Sequence, residues 1–142
     1  MGCWPPFLAN GIRVRRIADD WRSIDVTLAK SPLTSNYFGT QFGGSMFAMT
    51  DPFFAIMLVR LLGPAYTVWD KSAEIEFVKP RRTRLEARLK IADDQVEEIR
   101  TAAAAGEKVL RWFAVDISDS DGDLVAVVRK QLYVRLKPRD RS

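Results

Sequence analysis

The stretch from Ser45 to Leu62 is apolar all round: Phe47, Met49, Phe53, Phe54, Ile56, Met57, Leu58, Leu61 and Leu62 leave a helix no continuous polar stripe to show to water. Such a helix has to be enclosed by other structure. Thr50, Asp51, Pro52 and Arg60 interrupt it, and burying them in a bilayer would be costly, so it reads as a core helix and not as a membrane span. Gly63-Pro64 stops it.

What surrounds this helix reads as strands. Ile24, Val26 and Leu28 alternate with Asp25, Thr27 and Ala29, and Asp19-Asp20 marks a turn back to a less regular Ile12–Ile17, which predicts a hairpin. The loop composition of Lys30 to Thr40 follows and runs into Gly43-Gly44. Tyr66 to Pro80 alternates, placing Trp69, Ala73, Ile75 and Phe77 on one face, with Lys71 among them, and Asp70, Ser72, Glu74 and Glu76 on the other. Leu85 to Ile91 alternates likewise. Asp93 to Ala105 starts acidic and ends in alanines, predicting a short, mostly polar outer helix. Lys108–Ser118 and Leu124–Leu136 predict two more strands about the Asp-Gly tip of Asp119 to Asp123.

A length of 142 residues, 47% apolar and 28% charged, fits one domain over 1–142, with an aromatic, proline-rich lead-in at 1–10 and a frayed charged tail at 137–142. No internal repeat appears. The expected class is α+β: one curved antiparallel sheet wrapped around the long central helix. The edges and outer face of such a sheet would need a partner, so a homodimer is expected, with pairing into a tetramer left open.

Composition also narrows the chemistry. The chain has no histidine and a single cysteine, Cys3, which removes disulfide scaffolds, the usual zinc sets and every His-based triad or dyad. No metal and no separate cofactor are expected. Carboxylates, hydroxyls, Lys, Arg or the backbone must carry any reaction. The 22 basic and 18 acidic residues give a net charge of only +4, without a block of basic residues, and sheet periodicity accounts for the aromatic and Arg residues of the last two strands. Neither nucleic acid nor a membrane is an expected partner. No basic leader precedes a long apolar core, so a cytoplasmic location is expected.

The segment Gln41-Phe-Gly-Gly-Ser-Met-Phe-Ala-Met-Thr-Asp51-Pro52 joins a loop, a glycine pair and a carboxylate within one apolar element. Gly43-Gly44 would open the helix, where backbone N–H groups lack partners and a carbonyl oxygen could be polarised. Asp51, set among Met49, Phe53 and Phe54, would be partly desolvated and more basic than a solvated carboxylate, able to activate water or attack directly. A competing reading makes Thr50 or Asp51 an N-cap and Pro52 the first-turn proline of a helix that begins at Asp51.

FGGSMFAMTDPFFA resembles the HGG-six-residues-D signature at the central helix of hotdog-fold acyl-CoA thioesterases of the phenylacetate-pathway type. NYFGTQFGGSMFAMTDPFF with VWDKSAEIEFVKP is still more similar to a thioesterase-like branch of the hotdog superfamily whose members are domains of unknown function, over nearly the whole chain. The resemblance implies that Gly44 offers its N–H to a thioester carbonyl. It further implies that Asp51, from the opposite subunit of a dimer, is the base or nucleophile, and that a hydroxyl such as that of Ser72 assists the water. Phe42 stands at the motif's histidine position, where Gln41 could substitute. Phe47, Phe53, Phe54 and Met57 would line an acyl tunnel, Gly43 would also contact the substrate, and Arg81 and Arg82 would meet the phosphates of a coenzyme A moiety carried by the substrate. The expected function is hydrolysis of an acyl-CoA or related acyl thioester. The alternative is a noncatalytic hotdog domain that binds an acyl group or fatty acid.

Overall fold

Among the described residues, six strands and three helices follow one another as β1 (Ile12–Ile17), β2 (Ser23–Leu28), α1 (Gly43–Ala48), α2 (Phe53–Leu62), β3 (Tyr66–Phe77), β4 (Leu85–Lys90), α3 (Asp93–Ala103), β5 (Val109–Asp119) and β6 (Leu124–Leu136). The computed structural model describes residues 11–30, 43–79 and 83–138. The first ten residues, the loop at 31–42 with Gln41 and Phe42, the turn holding Arg81 and Arg82, and the end of the tail at 139–142 lie outside them.

All strands join one antiparallel sheet in the order β1-β2-β4-β5-β6-β3. β1 and β2 form the expected hairpin, whose turn is closed by a hydrogen bond from the Arg22 N–H to the Asp20 carboxylate. The tip between β5 and β6 is held by Asp119, whose Oδ1 accepts from the N–H groups of Asp121 and Asp123, while Gly122 takes the positive φ of 85° that this tight turn requires. The inner sheet face supplies Leu85, Ala87 and Leu89 from β4, Phe113, Val115 and Ile117 from β5, and Ala126, Val128, Leu132 and Val134 from β6. Against it pack Phe53, Phe54, Met57, Leu58 and Leu62 of α2, with the Phe54 ring stacked on Phe113 at 5.2 Å.

The central helix is enclosed as expected, with two corrections. It is broken into α1 and α2 by a turn at residues 49–52, because a proline has no N–H to give and its ring displaces the carbonyl one turn back. The Asp51–Pro52 peptide is cis. Its enclosure is also incomplete, since Val59 and Arg60 face outward and the Arg60 guanidinium lies over the Trp21 ring. The run Gly44–Leu62, long and apolar enough by composition to cross a membrane, is thus a partly buried core element in this fold.

α3 lies outside, yet it is less polar in effect than its composition suggests. Val96, Ile99 and Ala103 fall on one stripe at helical spacing and are buried, and Arg100 donates to the carbonyl of Leu61, tying α3 to the end of α2.

β3 departs most from its expected pattern. Asp70 opposes Leu132 on β6 but Ser72 already opposes Gln131, so Lys71 is an extra residue, a β-bulge. Residues directly opposite one another share a face, and a bulge reverses the alternation that follows it. Trp69 therefore sits on the outer face beside Tyr133, stacked on it at 4.0 Å, while Asp70 shares the inner face with Ala73 and Ile75. The uninterrupted alternation expected over Tyr66 to Pro80 had put Asp70 and Trp69 the other way round.

Phe54 is fully enclosed by the sheet, so Phe54→Ala should lower the unfolding free energy by about 3–5 kcal/mol, measured by urea denaturation.

Candidate functional site

α1 begins at Gly43 and Gly44, and the exposed Gly44 lies in its first turn, where N–H groups have no intrahelical acceptor. With only six residues, α1 has little macrodipole, so any pull on an anion there comes from individual amides. Phe47 is half-buried one turn further on. The chain then turns through Thr50, whose hydroxyl donates to the carbonyl of Phe47, and reaches Asp51.

Neither Thr50 nor Asp51 caps a helix. The N-cap position of α2 is Pro52, and no side chain accepts a hydrogen bond there. The competing reading is right that a new helix starts beyond Pro52 and wrong about what the aspartate does. Asp51 Oδ1 accepts a hydrogen bond from Lys130 Nζ at 2.7 Å. The same ammonium lies 3.7 Å from Asp70 Oδ1 and 5.0 Å from the centre of the Phe47 ring. Three separate stretches of chain thus meet at one cation: the turn after α1, the bulged part of β3, and the middle of β6.

Lys130 is 2% exposed, in the inward phase of β6 between Val128 and Leu132. An ammonium so placed is tolerable only with anions beside it. Those anions are partly solvated: the side chain of Asp51 is 45% exposed and that of Asp70 31%. The apolar, desolvated setting expected for Asp51 is therefore not what the fold builds. Its main neighbour is a buried cation, and its other side is open.

Asp70 differs. Burial, the Asp51 charge and a hydrogen bond with Asp51 push its carboxyl above the ordinary aspartate value, burial being the largest cause, and Lys130 offsets this only in part.

The other expected site residues are placed as follows. Phe53, Phe54 and Met57 are fully buried in the chain's own core, so they pack the sheet and do not line an open channel within it; Phe47 is the member of that set left partly accessible. The reason is that α2 turns its aromatic face to the sheet. Ser72 opposes Gln131 on the outer face, away from Lys130 and Asp51, as its alternation with Ala73 and Ile75 requires. Gln41, Phe42, Arg81 and Arg82 lie outside the described residues. Lys130 and Asp70 were not expected in the site. A lysine in the inward phase of Ala126, Val128, Leu132 and Val134 is a sequence signal for the first; the bulge that turns Asp70 inward has none.

A groove of about 810 Å³ opens elsewhere, on the sheet beside Arg15, Asp25, Glu86, Arg88 and Asp116. Its charges are partly matched, with Arg88 held by Asp25 and Arg15 donating to Thr27. Among the described residues no group of His, Cys, Asp and Glu is arranged to hold a metal ion.

A sheet of this order around a broken central helix is the hotdog fold, and comparison with solved structures bears this out. PA5026 from Pseudomonas aeruginosa, described as "Protein of Unknown Function" and "Probable Thioesterase", is 13% identical, with a TM-score of 0.81 over 94% of this chain and 89% of that one. Thioesterase HI1161 from Haemophilus influenzae is 17% identical, with a TM-score of 0.67 over 96% and 87%. AziG from S. sahachiroi is 21% identical, with a TM-score of 0.69 over 95% and 98%. No curated protein matches the sequence. Residues 1–134 match the family described as Domain of unknown function (DUF4442), and the chain belongs to that family.

Two predictions follow from the charges. Asp51→Ala should cost about 1–2 kcal/mol of stability, below the 3–5 kcal/mol typical of breaking a buried pair, because Asp70 can still meet the ammonium; denaturant midpoints of variant and wild type measure it. For Asp70, a raised folded-state value means that the native protein holds this proton more tightly than the unfolded chain. Its stabilising effect is complete below the unfolded value of 3.8 and is lost as pH rises through the higher folded value. The stability of Asp70→Asn relative to wild type should therefore improve between pH 3 and pH 7, as read from unfolding curves across that range.

Proposed function

We propose that this protein hydrolyses an acyl thioester, of coenzyme A or a related carrier, with Asp51 as the carboxylate that drives attack on the carbonyl carbon. The observation that carries this reading is the state of Asp51. It stands in a break of the central helix, half-solvated, caps nothing, and is oriented by a buried ammonium. A carboxylate so held can take a proton from a water as that water adds to the thioester, and the thiolate then leaves as the tetrahedral centre collapses. The Gly44 amide is the group proposed to receive the carbonyl oxygen as negative charge develops on it. The names of the structural neighbours PA5026 and HI1161 agree with this class of reaction.

The reading includes a homodimer. β3 is twelve residues long and, among the described residues, pairs along one edge only, with β6. Phe77 and Val78 at its end are 56% and 47% exposed. A long edge strand carrying apolar residues is an aggregation hazard unless something covers it, and a second copy of β3 would do so while bringing the site of one protomer toward its mate. Ser72 has no part in the proposed mechanism. The acyl chain would lie along the accessible side of Phe47, and Arg81 and Arg82 keep their proposed contact with the carrier's phosphates.

Release of free thiol from a panel of acyl-CoAs tests the proposal. Asp51→Asn should lower kcat by at least about 100-fold while circular dichroism still reports a folded protein. Unchanged turnover in that variant would remove Asp51 from the mechanism. Tight acyl-CoA binding by the wild type with no thiol release would instead favour the noncatalytic acyl-binding domain, for which the phenylalanine at position 42 argues.

A further inference from the structure

Asp51 does not act alone in this fold, because the ammonium that holds it is shared. Lys130 reaches the site from the core side of β6 and has almost no access to water, so its charge is balanced mainly by carboxylates. Two are within range, Asp51 at 2.7 Å and Asp70 at 3.7 Å, so with both ionised the group carries a net charge of −1. The second carboxylate is there because β3 carries an extra residue at Lys71. Without that bulge the strand's alternation would turn Asp70 to the outer face beside Gln131 and Tyr133.

We propose that Lys130 and Asp70 are positioning residues for Asp51: the ammonium binds and aims the Asp51 carboxylate, and Asp70 competes for that ammonium and repels Asp51, so removing one and removing the other act on Asp51 with opposite sign. This deepens the hydrolase reading and rests on it only for the use to which the Asp51 carboxylate is put. Lys130 donates its hydrogen bond to one named oxygen, Oδ1, which limits rotation of a side chain that would otherwise be free in a half-solvated turn. The elevated proton affinity of Asp70 fits its role. A protonated Asp70 carries no charge and leaves the ammonium to Asp51. Among the described residues, the charged groups facing Asp70 are Lys130 from β6 and Asp51 from the turn after α1; α1 itself contributes the uncharged ring of Phe47.

The opposite signs make the proposal testable apart from any structural contribution. Lys130→Met removes the positive charge while keeping much of the side chain's volume. Asp70→Asn removes the negative charge while keeping the shape. Lys130→Arg restores the charge. Carbon-13 NMR titration of aspartate carboxyls in the full-length protein, with Asp51→Asn to assign the signal, reads the Asp51 midpoint directly. Lys130→Met should move it up by about one pH unit, a tenfold rise in proton affinity, and Asp70→Asn should move it down by about half a unit. Lys130→Arg should return it toward the wild-type value. The acid limb of kcat/KM on a hydrolysed thioester should move in the same two directions.

Shifts of the same sign, or no shift with only a lower rate, would overturn the proposal and leave Lys130 a packing residue. Opposite NMR shifts in a protein that releases no thiol from any acyl-CoA would support the clamp and overturn the hydrolase reading. Should Lys130→Met fail to fold, the downward shift in Asp70→Asn still decides, because an upward or absent shift there contradicts the proposed competition.

Discussion

An ammonium enclosed by an apolar core must be answered by anions, and in this protein that requirement organises the site. Lys130 lies in the middle of β6, the strand that pairs with both β5 and the edge strand β3. Its charge draws in Asp51 from the break between α1 and α2 and keeps Asp70 close on β3. The helix break, the bulge and the core strand are far apart in sequence, yet each supplies one member of the cluster. If the strand carrying Lys130 were displaced, the two carboxylates would lose the cation between them, whereas loss of either carboxylate leaves the other beside the ammonium.

The rest of the fold serves to hold these three pieces in register. The aromatic face of α2 is locked to the sheet by Phe53, Phe54 and Met57, so the turn that precedes it leaves a fixed base. Arg100 of α3 anchors the other end of α2 at the carbonyl of Leu61. The stacked Trp69–Tyr133 pair braces the outer face of β3 next to the bulge. For the proposed reaction rigid surroundings matter, because a carboxylate acts as a base only where its oxygen is aimed, and aim in a half-solvated turn has to come from neighbours.

Much of this could be read from the residues. The hairpin about Asp19-Asp20, the Asp-Gly tip, the outer helix and the need to enclose the Ser45–Leu62 stretch all follow from local alternation, turn chemistry and apolar content, and each is found. The break at Pro52 is legible in the proline itself, whereas the pairing of Asp51 with Lys130 in place of a cap is not. The faces of β3 around residue 70 are not legible in the sequence, because a bulge depends on the pairing register with β6, which no property of β3 alone reports. Phe53, Phe54 and Met57 read as tunnel residues from sequence because apolar residues beside a carboxylate look alike whether they face a ligand or a sheet; only the direction in which α2 is docked separates the two.

The sequence by itself determined the strands, the outer helix and the class of architecture, and it singled out Asp51, since hydrophobic periodicity and glycine and proline chemistry act within a few residues of one another. Only the tertiary structure decided what surrounds that aspartate. Lys130 stands 79 positions beyond Asp51 and Asp70 reaches the same ammonium through a one-residue slip in strand pairing, and such long-range electrostatic contacts have no local signature until the sheet brings them within a few ångströms.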